Sequence, residues 1–245
     1  MIHPANRGRL LAAALTGLSA SSLAAPVAIA AEVDDQIFSF LQLDRNEYRL
    51  TDEGENVYAW DLQGWVGTDF DKLFLKSNGE LLLDGELEQA EVQVLYSRLI
   101  SDFFDAQVGL RYDFEPDPER VYGVIGLQGL APQFFEVDAA LFVSQKGDVS
   151  ARLEAEYELL ITQQLVLQPS AELDVAVQEV KQLGIGSGPS RVELGLRLLY
   201  EVTREFAPYV GVHYETDLFD TADFTRDEGG EVDSVSFIAG LRLFF

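Results

Sequence analysis

The sequence predicts an all-β fold, a transmembrane antiparallel β-barrel of about 12 strands, on three observations. Apolar and polar residues alternate with period two along segments of about ten to thirteen residues, the length of a tilted membrane-crossing strand. The connectors alternate between brief turns and longer polar loops, as they do between the two rims of an outer-membrane barrel. The last segment, Val235, Phe237, Ala239, Leu241, Leu243 and Phe245, alternates to the end and closes on an aromatic ring.

Residues 1–30 precede this pattern and read as a secretory signal peptide. Arg7 and Arg9 are followed by the apolar run 10–18 and by small residues ending in Ala28-Ile29-Ala30, a cleavage pattern. The run is too short for a spanning helix. Cleavage after Ala30 would remove both arginines and take the net charge from −25 to −27. A short segment, 31–36, then leads into the barrel domain, 37–245.

Twelve strands are expected near 37–50, 56–66, 71–82, 87–99, 104–114, 120–130, 134–145, 149–161, 165–178, 190–202, 206–217 and 233–245. The segment 149–161 shows the logic. Val149, Ala151, Leu153, Ala155, Tyr157, Leu159 and Ile161 alternate with Ser150, Arg152, Glu154, Glu156 and Glu158. Its Glu, Leu and Ala content favours helix, but a helix would scatter those apolar side chains around its circumference and a strand puts them all on one side. The turns GTDFD, SDFF, APQ, TQQ and TREF are brief. TDEGEN, EPDPE, QKGD, EVKQLGIGSGP and LFDTADFTRDEGGE are open and polar. An even strand number returns both ends to the short-turn, periplasmic side.

A soluble sandwich would alternate in the same way, with water rather than a lumen on the charged side. Strand length, the aromatic residues near strand ends (Tyr96, Phe103, Phe104, Phe114, Phe134, Phe135, Tyr200, Phe206, Tyr209) and the C-terminal strand favour the membrane. The absence of Cys excludes a disulfide scaffold, a zinc ribbon and a cysteine nucleophile. The charge of −25 opposes a nucleic-acid binder.

Parity then places Asp61, Gln63, Glu91, Gln93, Arg111, Asp113, Glu136, Asp138, Arg152, Glu154, Glu156, Glu172, Asp174, Glu193, Arg197, Glu201, His213, Glu215 and Arg242 inside. Such charges either pair across strands as a salt-bridge network or attract cations, and both can hold. His213, Glu215 and Asp217 share one face of a strand. An imidazole with two carboxylates is a candidate metal site, or else a lone His in a polar network. A Ser–His hydrolase would need His213 with Ser170, Ser190 or Ser236 from other strands. No G-x-S-x-G or H-E-x-x-H occurs, so no enzyme is expected. GIGSG has neither the following Lys nor the helix of a phosphate cradle.

Several stretches resemble the copper resistance protein B family of outer-membrane barrels. They are WDLQGWVGTDFDKLFLKSNGE (60–80), LYSR (95–98), GLQGLAPQFFEVDAALFVS (126–144), RLEAEYELLITQQLVLQPSAEL (152–173), GIGSG (184–188), LGLRLLYEVTREFAPYVGVHYE (194–215), TAD (221–223) and AGLRLFF (239–245). The resemblance implies a monomeric outer-membrane barrel in contact with lipid, with copper as the metal it binds or moves across that membrane in copper tolerance. The alternative is a structural or passive-pore barrel without a specific metal site. Many members of that family carry a Met- and His-rich extension ahead of the barrel, whereas residues 31–37 hold neither residue.

Overall fold

The computed structural model describes residues 36–51 and 56–245. The leader expected over 1–30, and 31–36 apart from Gln36, lie outside the described residues. The strands are β1 (Phe38–Thr51), β2 (Asn56–Gly67), β3 (Asp71–Leu82), β4 (Leu87–Ser101), β5 (Phe104–Glu115), β6 (Arg120–Ala131), β7 (Phe135–Ser144), β8 (Val149–Tyr157), β9 (Leu159–Leu160), β10 (Leu165–Ala176), β11 (Gly188–Tyr200), β12 (Phe206–Asp217) and β13 (Asp233–Phe244). Each is antiparallel to its neighbours. β1 pairs with both β2 and β13, and β10 with both β8 and β11, so the sheet closes on itself.

β8 and β9 are one span with a gap at Glu158, which makes twelve crossings. Ser170 faces Glu156 and Leu167 faces Leu159 in a single continuous register. In that register Gln168 lies opposite Glu158, and Pro169, which has no N–H to donate, lies opposite Tyr157 beside the gap.

The alternation is realised as expected, apolar side outward. Leu110 is 60% exposed, Ile125 64% and Phe237 67%. Moving each such side chain out of water is worth about 1.5–3 kcal/mol, which acyl chains supply here. Exposed aromatics cluster at both rims. Phe70, Phe103, Phe134 and Phe206 stand at the short-turn end. At the long-loop end Tyr48 packs on Tyr58 (5.5 Å) and Tyr112 on Phe114 (4.6 Å).

Two features depart from the simple pattern. The interior is not wholly polar: Phe74, Leu95, Tyr122, Val124 and Phe142 form a wedge inside one wall, and Val166, Leu199, Ala207, Tyr209 and Ile238 a second cluster. Twelve strands enclose more space than backbone alone can fill, so large side chains must occupy part of it. The loop after β12 also contains a helix, α1 (Phe219–Glu228), where only an open loop is expected from the sequence. It is stopped by Gly229 in the left-handed region (φ 86°). Thr221, buried on α1, accepts a 2.9 Å hydrogen bond from the Gly186 amide of the β10–β11 loop, which ties the two long loops together.

Candidate functional site: an ion-paired lumen

The inward face begins with an irregularity in β1. Leu43 faces Leu62 and Arg45 faces Asp61, so Asp44 is an extra residue with no partner of its own. A β-bulge of this kind switches the parity of the strand. Asp44 and Arg45 both line the lumen, and Glu47 and Arg49 follow inward beyond them.

Glu47 has no solvent exposure. It accepts from Arg197 Nε and Nη2 (both 3.0 Å), Arg49 Nε (3.0 Å) and Tyr209 Oη (2.9 Å). Arg49 also reaches Glu80 at 2.5 Å. One carboxylate thus joins β1, β11 and β12, and Arg49 extends the knot to β3. The Tyr209 ring lies across Gly240, and a Cβ added there would sit 2.6 Å from Tyr209 Oη. Gly240→Ala should push the hydroxyl off Glu47 and cost about 1–3 kcal/mol. Urea unfolding in detergent micelles checks this, with Tyr209→Phe as the matching deletion of the bond.

A second knot lies across the lumen. Glu91, 1% exposed, meets Arg111 Nη2 at 2.6 Å and Arg152 Nη1 at 3.5 Å. Arg111 also grips Asp113 through two bonds of 2.6 and 2.9 Å. Arg152 reaches Glu172 (3.0 Å) and Asp174 (3.2 Å). Lys72–Asp105, Lys76–Asp138 and Arg242–Glu158 add further cross-strand pairs. The salt-bridge network anticipated from parity is therefore the dominant content of the lumen.

Space remains on either side of these knots. A chamber of about 600 Å³ opens toward the short-turn end, with eight carboxylates and five cationic side chains among its lining residues. Asp44, Glu136 and Glu154 in it have no ion-pair partner within 4.0 Å among the described residues. A smaller chamber of about 270 Å³ lies beneath α1 and the β10–β11 loop. A niche of about 10 Å³, sharing Arg45, Glu154 and Glu156 with the larger chamber, has His213 in its wall.

His213 is 3% exposed, and its Nε2 has no hydrogen-bond partner. Glu193 Oε2 lies 3.7 Å away and Glu215 Oε2 3.9 Å, close enough to interact electrostatically but too far for hydrogen bonds. The structure thus brings Glu215 to His213 as its position in the strand requires, and adds Glu193 from β11. Asp217 is engaged elsewhere, by Arg191 Nε (3.1 Å) and Thr225 Oγ1 (2.6 Å). Among the described residues no group of three or more His, Cys, Asp or Glu side chains is arranged to hold a metal ion. Ser236 on β13 faces His213, but Nε2 of His213 makes no hydrogen bond to it, to Ser170 or to Ser190.

Asp44, Arg45, Glu47 and Arg49 are inward-facing positions that sequence parity misses, because the bulge breaks the two-residue period through that strand. Lys72, Lys76 and Glu80 obey the two-residue period of β3 and share its inward face.

The family model described as copper resistance protein B precursor (CopB) matches residues 37–245. A copper resistance protein B homolog of Pseudomonas syringae pv. tomato is 42% identical over 212 residues, covering 86% of this chain and 71% of the relative. Copper resistance protein B of Escherichia coli is 40% identical over the same coverage. Among solved structures the NanC porin superposes with a TM-score of 0.52 at 15% identity, covering 83% of this chain and 98% of that one, which supports the barrel fold. The closed twelve-crossing barrel, its lipid-facing apolar exterior and this match over the whole of it show that the chain belongs to the copper resistance protein B family of outer-membrane β-barrels.

Proposed function

We propose that the barrel contributes to copper tolerance by taking copper ions into its lumen, where His213 with Glu193 and Glu215 is the contact point. The observation that carries this reading is the Nε2 of His213, nearly fully buried, without a hydrogen bond, and flanked by two carboxylates at the edge of the acid-rich chamber. A lone imidazole nitrogen with oxygen donors suits Cu(II). Thiolate and thioether ligands, which Cu(I) prefers, are absent after Met1. Asp217, on the same face, keeps Arg191 beside the site and would act on a bound ion through it. The reading includes no catalytic step and a monomer in the lipid bilayer.

The refolded barrel should bind Cu(II) near one equivalent, and His213→Ala should weaken that binding at least about tenfold, measured by calorimetric titration with Zn(II) in parallel. Growth of a deletion strain on graded copper, complemented by the wild type or by His213→Ala, tests the role in tolerance. A second reading, a passive barrel with no specific metal site, is favoured by the absence of a three-ligand cluster among the described residues. It predicts equal, weak binding by both proteins.

A further inference from the structure

The two chambers of the lumen approach each other at one place. Phe142 and Arg152 line both, and no other described residue does. Phe142, on β7, is 3% exposed and held edge-on by Tyr122 (6.3 Å, 77°) within the apolar wedge. The guanidinium carbons of Arg111 and Arg152 lie 4.7 and 5.9 Å from its ring centroid. Glu91 ties the two arginines to each other.

The geometry points to Phe142, with Arg111 and Arg152 against its ring, as the septum of this barrel: the constriction that separates the outer chamber from the acid-rich inner one and sets which ions pass. The ring supplies a dry barrier, since it offers water no hydrogen-bonding group and two guanidiniums already lie over it. The guanidiniums fix positive charge at the narrowest point, and Glu91, Glu172 and Asp174 balance that of Arg152. The septum is a rigid packed object rather than a mobile loop, so its size should be read directly in conductance. This inference deepens the proposed passage of ions through the lumen, but its test carries no copper, so failure of the His213 reading leaves it standing.

The test is single-channel recording of the full chain in planar bilayers in potassium chloride. Phe142→Ala should merge the chambers and raise conductance at least about fivefold over wild type. Val124→Ala is the control. Val124 belongs to the same wedge but lines only the inner chamber, so its truncation should leave conductance within about twofold. Arg152→Gln keeps Phe142 in place and leaves Glu91, Glu172 and Asp174 under-compensated, so under a salt gradient the reversal potential should move toward the cation limit. Heat-shift electrophoresis confirms folding of each variant, and Arg152→Gln decides alone if Phe142→Ala does not fold. Equal conductance of Phe142→Ala and Val124→Ala, or an unchanged reversal potential for Arg152→Gln, would overturn the assignment.

Discussion

Replacing Glu47 with Ala is expected to destabilise the folded barrel by about 3–5 kcal/mol, the cost of leaving buried cations without their counter-charge. Glu47 is fully buried and is the shared acceptor for Arg197 from β11, Tyr209 from β12 and Arg49 two residues along its own strand. Its loss strands Arg197, which is 3% exposed and has Ser170 as its remaining side-chain hydrogen-bond partner, at 3.3 Å. Arg49 keeps Glu80 and should suffer less. The chemistry also predicts a rescue. Removing cation and anion together, as in Glu47→Ala with Arg197→Met, should recover a large part of the loss, because the pair's net contribution is much smaller than the penalty for breaking it. Equilibrium unfolding of the three proteins in the same lipid separates the cases. A single-variant loss below about 1 kcal/mol would mean that water enters the lumen freely enough to solvate Arg197.

The second large effect concerns charge on the other side of the same wall. Ile125→Arg is expected to cost about 2–4 kcal/mol near the bilayer midplane, because the lipid there offers a guanidinium no partner. Ile125 is 64% exposed in the middle of β6, with Val108 and Leu141 opposite it on the flanking strands. A neighbour in the same strand gives the contrast. Val124, one residue earlier, is 2% exposed and points inward. The penalty at Ile125 should therefore depend on bilayer thickness, shrinking in thinner lipid where the long side chain reaches the headgroups. If Ile125→Arg unfolds with wild-type stability in every lipid, that face is not in hydrocarbon.

Much of this was legible in the residues. The alternation in 149–161 and 190–202 placed Arg152, Glu154, Glu156, Glu193 and Arg197 inside, and the structure finds them there. The polar network was legible to the extent that acids and arginines shared a face. What parity could not show was which acid meets which arginine. Arg197 and Glu47 are 150 residues apart in the chain, and their meeting depends on barrel closure through β1 and β13. Nor could it reach β1, where one extra residue at Asp44 shifts every later side chain to the other face.

The candidate site divides along the same line. His213 and Glu215 are two residues apart on a strand, so the sequence alone put them on one side. Glu193 joins them only because β11 pairs with β12 in the register that sets it opposite Glu215. Asp217 has the same parity but is claimed by Arg191 directly across the pair and by Thr225 from a helix the sequence pattern did not announce.

Local order in this protein, meaning strand positions, the outward apolar face, turn lengths and the rims, follows from a two-residue period that any neighbouring residues can express. The bulge in β1, the pairing of the lumen charges and the Phe142 septum were decided only when the sheet closed, because each depends on groups that face one another across the barrel and are distant along the chain.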